Sequence, residues 1–100
     1  MATTGRPVGG FSQPILVGLN SVNVTASQVI SGAPGALAGI FVASASSPTI
    51  KLWDNASAGS GTTLVNTFTP VLGWNPCPLP YSLGLFATIG GTIDATFVYS

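Results

Sequence analysis

The sequence predicts an all-β protein, an antiparallel β-sandwich of about seven strands, and three observations predict it. Glycine (13) and proline (8) recur too often in 100 residues for long helices. Between them lie short runs of Val, Ile, Thr and aromatics, a composition suited to a pleated, half-buried surface. These runs alternate apolar and polar residues and follow one another at roughly 8–12-residue spacing, the pattern of a sandwich, a small jelly roll included.

The elements follow in order. "MATTGRPVGGFSQP" has three glycines, two prolines and little alternation, and reads as part of an extended N-terminal arm over 1–20. A single β domain follows over 21–100, since 100 residues make one core. In "SVNVTASQVI", Val22, Val24 and Ala26 share one face, giving a strand near 21–30. "SGAPG" turns the chain. "ALAGIFVASA" is apolar on both faces, as a strand buried on two sides or placed at an interface would be, and gives 37–45. "SSP" ends it. "TIKLWD" points Ile50 and Leu52 inward and Lys51 and Trp53 outward, giving 49–54.

"NASAGSG" is a turn-rich link, and "TTLVNTF" returns over 62–68 with Leu64 and Phe68 on one face. "WNPCPLPY" holds Pro76, Pro78 and Pro80 in five residues. Each lacks the donor a central strand needs, so 74–79 must run along an edge or over the rim. "LGLFATI" groups Leu85, Ala87 and Ile89 over 85–89, and Gly90-Gly91 reads as a tight hairpin turn. The last strand, 92–99, puts Ile93, Ala95, Phe97 and Tyr99 on one face.

The charge count points to a class of role. Soluble domains are about 25% charged. This chain is 4% charged, with Arg6, Lys51, Asp54 and Asp94 alone and a net charge of zero. Solubility falls to neutral groups: 11 Thr, 11 Ser, 5 Asn and 2 Gln. Such a surface lacks the like-charge repulsion that keeps copies apart, and it suits a chain that buries its outside against other protein. Two cations cannot neutralise a phosphate backbone, so nucleic acid is not an expected partner. The most apolar stretch, Ala33 to Ala45, is thirteen residues with Pro34 inside it, against the ~20 a spanning helix needs. No membrane partner is expected, and no secretory signal, because the start "MATTGRPVGG" has no apolar core to follow its Arg6.

Catalytic constellations are scarce. Without His there is no Ser–His or Cys–His pair and no imidazole metal ligand. Asp54 and Asp94 would serve a glycosidase only if they faced each other about 5–10 Å apart, and both read as solvated or turn-bonding. Cys77 lies between prolines with no cation nearby and reads as a small apolar residue. Asn23-Val24-Thr25 and Asn55-Ala56-Ser57 fit the glycosylation sequon, as chance allows in so Asn/Ser/Thr-rich a chain. No enzyme, cofactor or metal site is expected. The candidate residues are aromatics for a protein interface: Phe11 in the arm, Trp53 and Trp74 beside turns, and Tyr81 after the proline strip. Trp53, Trp74 and Tyr81 could equally stack on sugars.

From Leu37 through Ser100, the hairpin pattern "TIKLWDN…LV…F" and the ending "GLFATIGGTIDATFVYS" carry a resemblance. About two-thirds of the chain is similar to small β-rich virion proteins of tailed phages, of the capsid-decoration (cement) or head-fibre type. The resemblance implies a homo-oligomer, commonly a trimer of β-sandwiches, and a major capsid protein or other virion protein as partner. It places the chain on the capsid surface of a virion, after synthesis in the host cytoplasm. It carries over no site residue. A tail or fibre receptor-binding, lectin-like module is the alternative reading.

Overall fold

The structure is a computed structural model that describes residues 19–100. Its strands are β1 (Asn20–Val24), β2 (Gln28–Ser31), β3 (Gly35–Asp54), β4 (Thr62–Phe68), β5 (Gly73–Tyr81) and β6 (Leu85–Tyr99). All pairings are antiparallel and belong to one open sheet. The all-β class is as the sequence predicts. In place of the expected seven strands of a sandwich or jelly roll, the described residues form six, in a single hydrogen-bonded sheet. The arm over 1–20 and its Phe11 lie outside the described residues, apart from Leu19 and Asn20, and Asn20 already opens β1.

Two signals that read as turns merge two pairs of expected strands, and the split of 21–30 into β1 and β2 adds one back. "SSP" and Gly90-Gly91 do not end strands; they sit opposite each other inside β3 and β6. Ser46 pairs with Thr92 and Thr49 with Gly90, and the register shifts between them. Ser47 has φ 50° and Gly91 φ 71°. A matched pair of irregularities bends both strands and lets the ladder continue.

The bend folds the sheet back on itself. Straight, the 20 residues of β3 would span roughly 66 Å. Yet Gly35 pairs with Tyr81, the three residues 82–84 lead from Tyr81 to Leu85, and the neighbouring Phe86 pairs with Trp53. Such a link reaches about 15 Å at most. The link 32–34, from Ser31 to Gly35, ties the same two ends. The first leaf is therefore β1, the C-terminal part of β6, the N-terminal part of β3, and β5. The second is β2, the start of β6, the end of β3, and β4. Both leaves belong to one hydrogen-bonded sheet because β3 and β6 run through the fold.

The facing sides hold the core. Ile40, Val42 and Phe97 of the first leaf and Ile50, Leu52 and Leu85 of the second are sealed from solvent in one cluster. Ile93, Ala95 and Phe97 share that side, and so do Leu85 and Ala87, as their alternation predicts. In β4, Val65 stands opposite Leu52 and Phe68 opposite Ile50, with a register shift on that stretch, and Leu64, Val65 and Phe68 all pack against the core. The expected strand 21–30 is split at the bend. There Ser27 Oγ accepts the Ile89 N–H at 2.8 Å, standing in for a missing ladder bond.

Gly91 marks the constraint. Its φ lies in the left-handed region, and an added Cβ would run into the Ser47 carbonyl. Gly91→Val should lower the unfolding free energy by about 3 kcal/mol, read from urea denaturation. An unchanged midpoint would mean that the bend is not set here.

Candidate functional site

Each charge among the described residues is tied to a local contact. Asp54 ends β3, and its carboxylate accepts backbone N–H bonds from Ser82 (2.9 and 3.1 Å), Leu83 (2.8 Å) and Gly84 (3.3 Å). It thereby clamps the β5–β6 link onto the second leaf. The Ser82 bond, then the Leu83 bond, holds its pKa below the ordinary carboxylate value, against a small opposing effect of burial. Asp94 Oδ1 accepts from Asn23 Nδ2 at 2.7 Å, joining β6 to β1. Lys51 Nζ lies 4.2 Å from the centre of the Trp53 ring, on the outward side where the sequence puts both. The structure does not bring Asp54 and Asp94 together: Asp94 pairs with Ser44, ten residues along β3 from Asp54. Burial pushes the Cys77 thiol up from its ordinary value, away from the thiolate a nucleophile needs.

The sequon asparagines are occupied too. Asn23 Nδ2 also donates to the Ala95 carbonyl at 3.1 Å. Asn55 Nδ2 donates to Ser60 O at 3.0 Å, while its Oδ1 accepts the Ser57 and Ala58 N–H groups. Asn55 thus builds the β3–β4 turn itself, a local side-chain-to-backbone role common for Asn.

The candidate aromatics separate. Tyr81 is no surface residue. It is 3% exposed, and its hydroxyl donates to the Ser100 carbonyl at 2.7 Å. It follows three outward prolines, and strand alternation turns it inward. Trp53 is half-buried and donates from Nε1 to Thr88 Oγ1 at 3.0 Å. The 55–61 turn leans over the same face, for a Cβ on Gly59 would touch Thr88 and Phe86. The outer face of the second leaf is thus dressed with polar contacts.

The outer face of the first leaf is not. Trp74 is 48% exposed and stands opposite Phe41, also 48% exposed. The indole lies across Gly39, where an added Cβ would meet ring carbons at 2.5 and 2.6 Å. From Trp74 the strand alternates without a break, with Pro76, Pro78 and Pro80 outward and Asn75, Cys77, Leu79 and Tyr81 inward. β5 pairs only with β3 among the described strands, so the prolines lie on an edge, as the sequence requires. Val71 and Leu72, in the link between β4 and β5, are also exposed.

Between the borders of β4 and β5 opens a cavity of about 350 Å³, lined by Val65, Phe68, Val71, Trp74, Asn75, Pro76 and Cys77. The Asn75 amide is fully engaged: Nδ2 donates to the carbonyls of Val71, Gly73 and Ile40, and Oδ1 accepts the Val71 N–H at 2.9 Å. The cavity therefore presents apolar surface and no free polar anchor on its lining side chains.

Sequence reasoning found Trp74 and missed Phe41, Val71, Leu72 and the exposed Leu83. The signals were present. "ALAGIFVASA" is apolar on both faces, and the turns "TPVLG" and "SLG" carry large apolar residues where small polar ones are usual. No protein-family model, curated protein or solved structure matches the chain.

The Asp54 clamp has a signed pH dependence. Its folded pKa is depressed, so the stability it adds is complete above the unfolded value of about 3.9 and is lost as pH falls through the lower folded value. Asp54→Asn should lower the melting temperature at pH 7, with the gap from wild type closing as pH falls below the unfolded value and through the lower folded one. A gap that stays constant through the acid range would remove the carboxylate from this role.

Proposed function

We propose that the chain is a structural virion protein, a homo-oligomer that decorates a phage capsid shell and stabilises it through apolar and backbone contacts. The observation that carries the assembly part is the uncovered strip on the first leaf: Phe41 and Trp74 side by side, flanked by Pro76, Pro78 and Pro80 and by Val71 and Leu72. A contiguous apolar patch on a soluble protein marks a contact surface. Trp at the centre of such a patch is a typical energetic anchor. No charge lies on this strip, so docking it strips water from no ion. The virion part rests on the hairpin resemblance. A protein that binds only the assembled shell stabilises it by mass action.

The sugar-binding alternative draws less support from the aromatics. The core takes Tyr81, Lys51 takes a face of Trp53, and Trp74 alone remains open. A glycan array with the purified protein separates the readings: specific hits that disappear in Trp74→Ala would favour the receptor-binding one.

Co-sedimentation with undecorated capsid shells tests the main proposal. Binding and self-association should persist in molar NaCl, because apolar contacts are not screened as exposed charge pairs are. Trp74→Ala should weaken attachment by about thirtyfold, near 2 kcal/mol, with the melting temperature almost unchanged. Attachment that is lost in high salt, or indifferent to Trp74→Ala, would count against the strip as the docking face.

A further inference from the structure

The sheet has two borders: β1 and β2 run along β6, and β4 and β5 along β3. A free border is a row of unpaired N–H and C=O groups that can template another strand, and proteins blunt it with proline, charge or short length. β5 is blunted. A proline cannot enter a pair that exchanges N–H bonds, so where Pro76 meets Gly39 and Pro80 meets Ala36 the proline nitrogen faces away from β3. From Pro76 to Pro80 the outer border of β5 carries carbonyls and no donors. β1 and β2 have only 5 and 4 residues. β4 has 7, TTLVNTF, without proline, glycine or charge, and no other described strand covers its outer side.

We infer that β4 pairs along this border with β4 of a second copy, antiparallel about a two-fold axis. The inference rests on the assembly reading and gives it a particular contact. A two-fold axis sets a segment against itself, so any charge near it would meet its own kind. The chain has no charge from Asn55 to Ile93, the whole neighbourhood of β4. With the axis at Asn66, Leu64 stands opposite Phe68 twice, Val65 opposite Thr67, and Asn66 opposite itself. An amide can both donate and accept, which suits self-pairing. Leu64 of the second copy then arrives at the mouth of the apolar cavity that Val65 and Phe68 line. Strand addition with an apolar pocket beside the edge is a known recognition mode. The Thr67 N–H, now held by its own Asn66 Oδ1 at 2.8 Å, exchanges that local bond for a ladder bond.

Sedimentation of the full chain tests this, together with the variant Thr63→Lys/Thr67→Lys, in which both changes fall at exposed positions. The wild type should form a dimer or a larger even-numbered assembly. The double variant should associate at least about tenfold more weakly through like-charge repulsion, recovering in molar NaCl, with an unchanged circular dichroism spectrum. Amide hydrogen exchange of the wild type at Val65 and Thr67 should slow as protein concentration rises, and that measurement decides the matter if the variant does not fold. A wild-type trimer, lysine-insensitive association, or exchange independent of concentration would overturn β4 pairing and leave the assembly reading standing. A wild-type monomer at high concentration would overturn both.

Discussion

The structure depends on one constraint: β3 and β6 must bend at the same level. Neither strand is long by accident. Each carries the segments of both leaves, and the irregularities at the bend let the pair fold back while its ladder continues. Ser47 and Gly91 supply them, with positive φ on both sides and a Gly91 whose missing Cβ leaves room for the Ser47 carbonyl. The shorter strands then add to whichever half of the ribbon is beside them. The breaks between β1 and β2, and between β4 and β5, fall where β6 and β3 turn. The chain closes the far end with two three-residue links, and Asp54 holds one of them by its backbone amides.

That closure makes the leaves unequal on the outside. The long β3–β4 turn, organised by Asn55, leans over the second leaf and meets Phe86 and Thr88. The first leaf has no comparable turn among the described residues. Its outer face is built from what β5 and β3 carry, and those are prolines, Trp74 and Phe41. Gly39 adds to the asymmetry: without a side chain it leaves room for the indole over β3. Large area on few rotatable bonds is what makes aromatic residues efficient in contacts.

Much of this was legible in the sequence. The β class, the inward positions of Ile50, Leu52, Ile93, Ala95 and Phe97, and the edge placement of the proline strand followed from alternation and from the missing donors. The outward pairing of Lys51 with Trp53 did as well. What could not be read was whether a break ends a strand. Gly-Gly between two apolar runs is the signature of a hairpin, and it becomes a bend only because another break stands across from it. That is a relation between residues more than forty apart, and local pattern does not contain it. Tyr81 failed for a related reason. Proximity to prolines suggested a surface, whereas the alternation of β5 turned every second residue inward, and the tyrosine fell on that parity. The exposed faces failed differently, since an apolar residue in a strand reads as core until the sheet reveals which side is covered.

The scarcity of ions acquires a structural meaning from these contacts. Lys51, Asp54 and Asp94 each hold a local element of the fold, and none is left to mark the open face. A surface without charge has little to discriminate right partners from wrong ones, because like-charge repulsion is the usual means of exclusion. Backbone chemistry takes over that role here. Three prolines remove the donors from one stretch of border, short strands limit the border opposite, and a side-chain amide holds a single N–H on the remaining one. Under the proposed assembly, direction would come from where a strand can be added and where it cannot. That device works equally at any salt concentration, which a charge code does not.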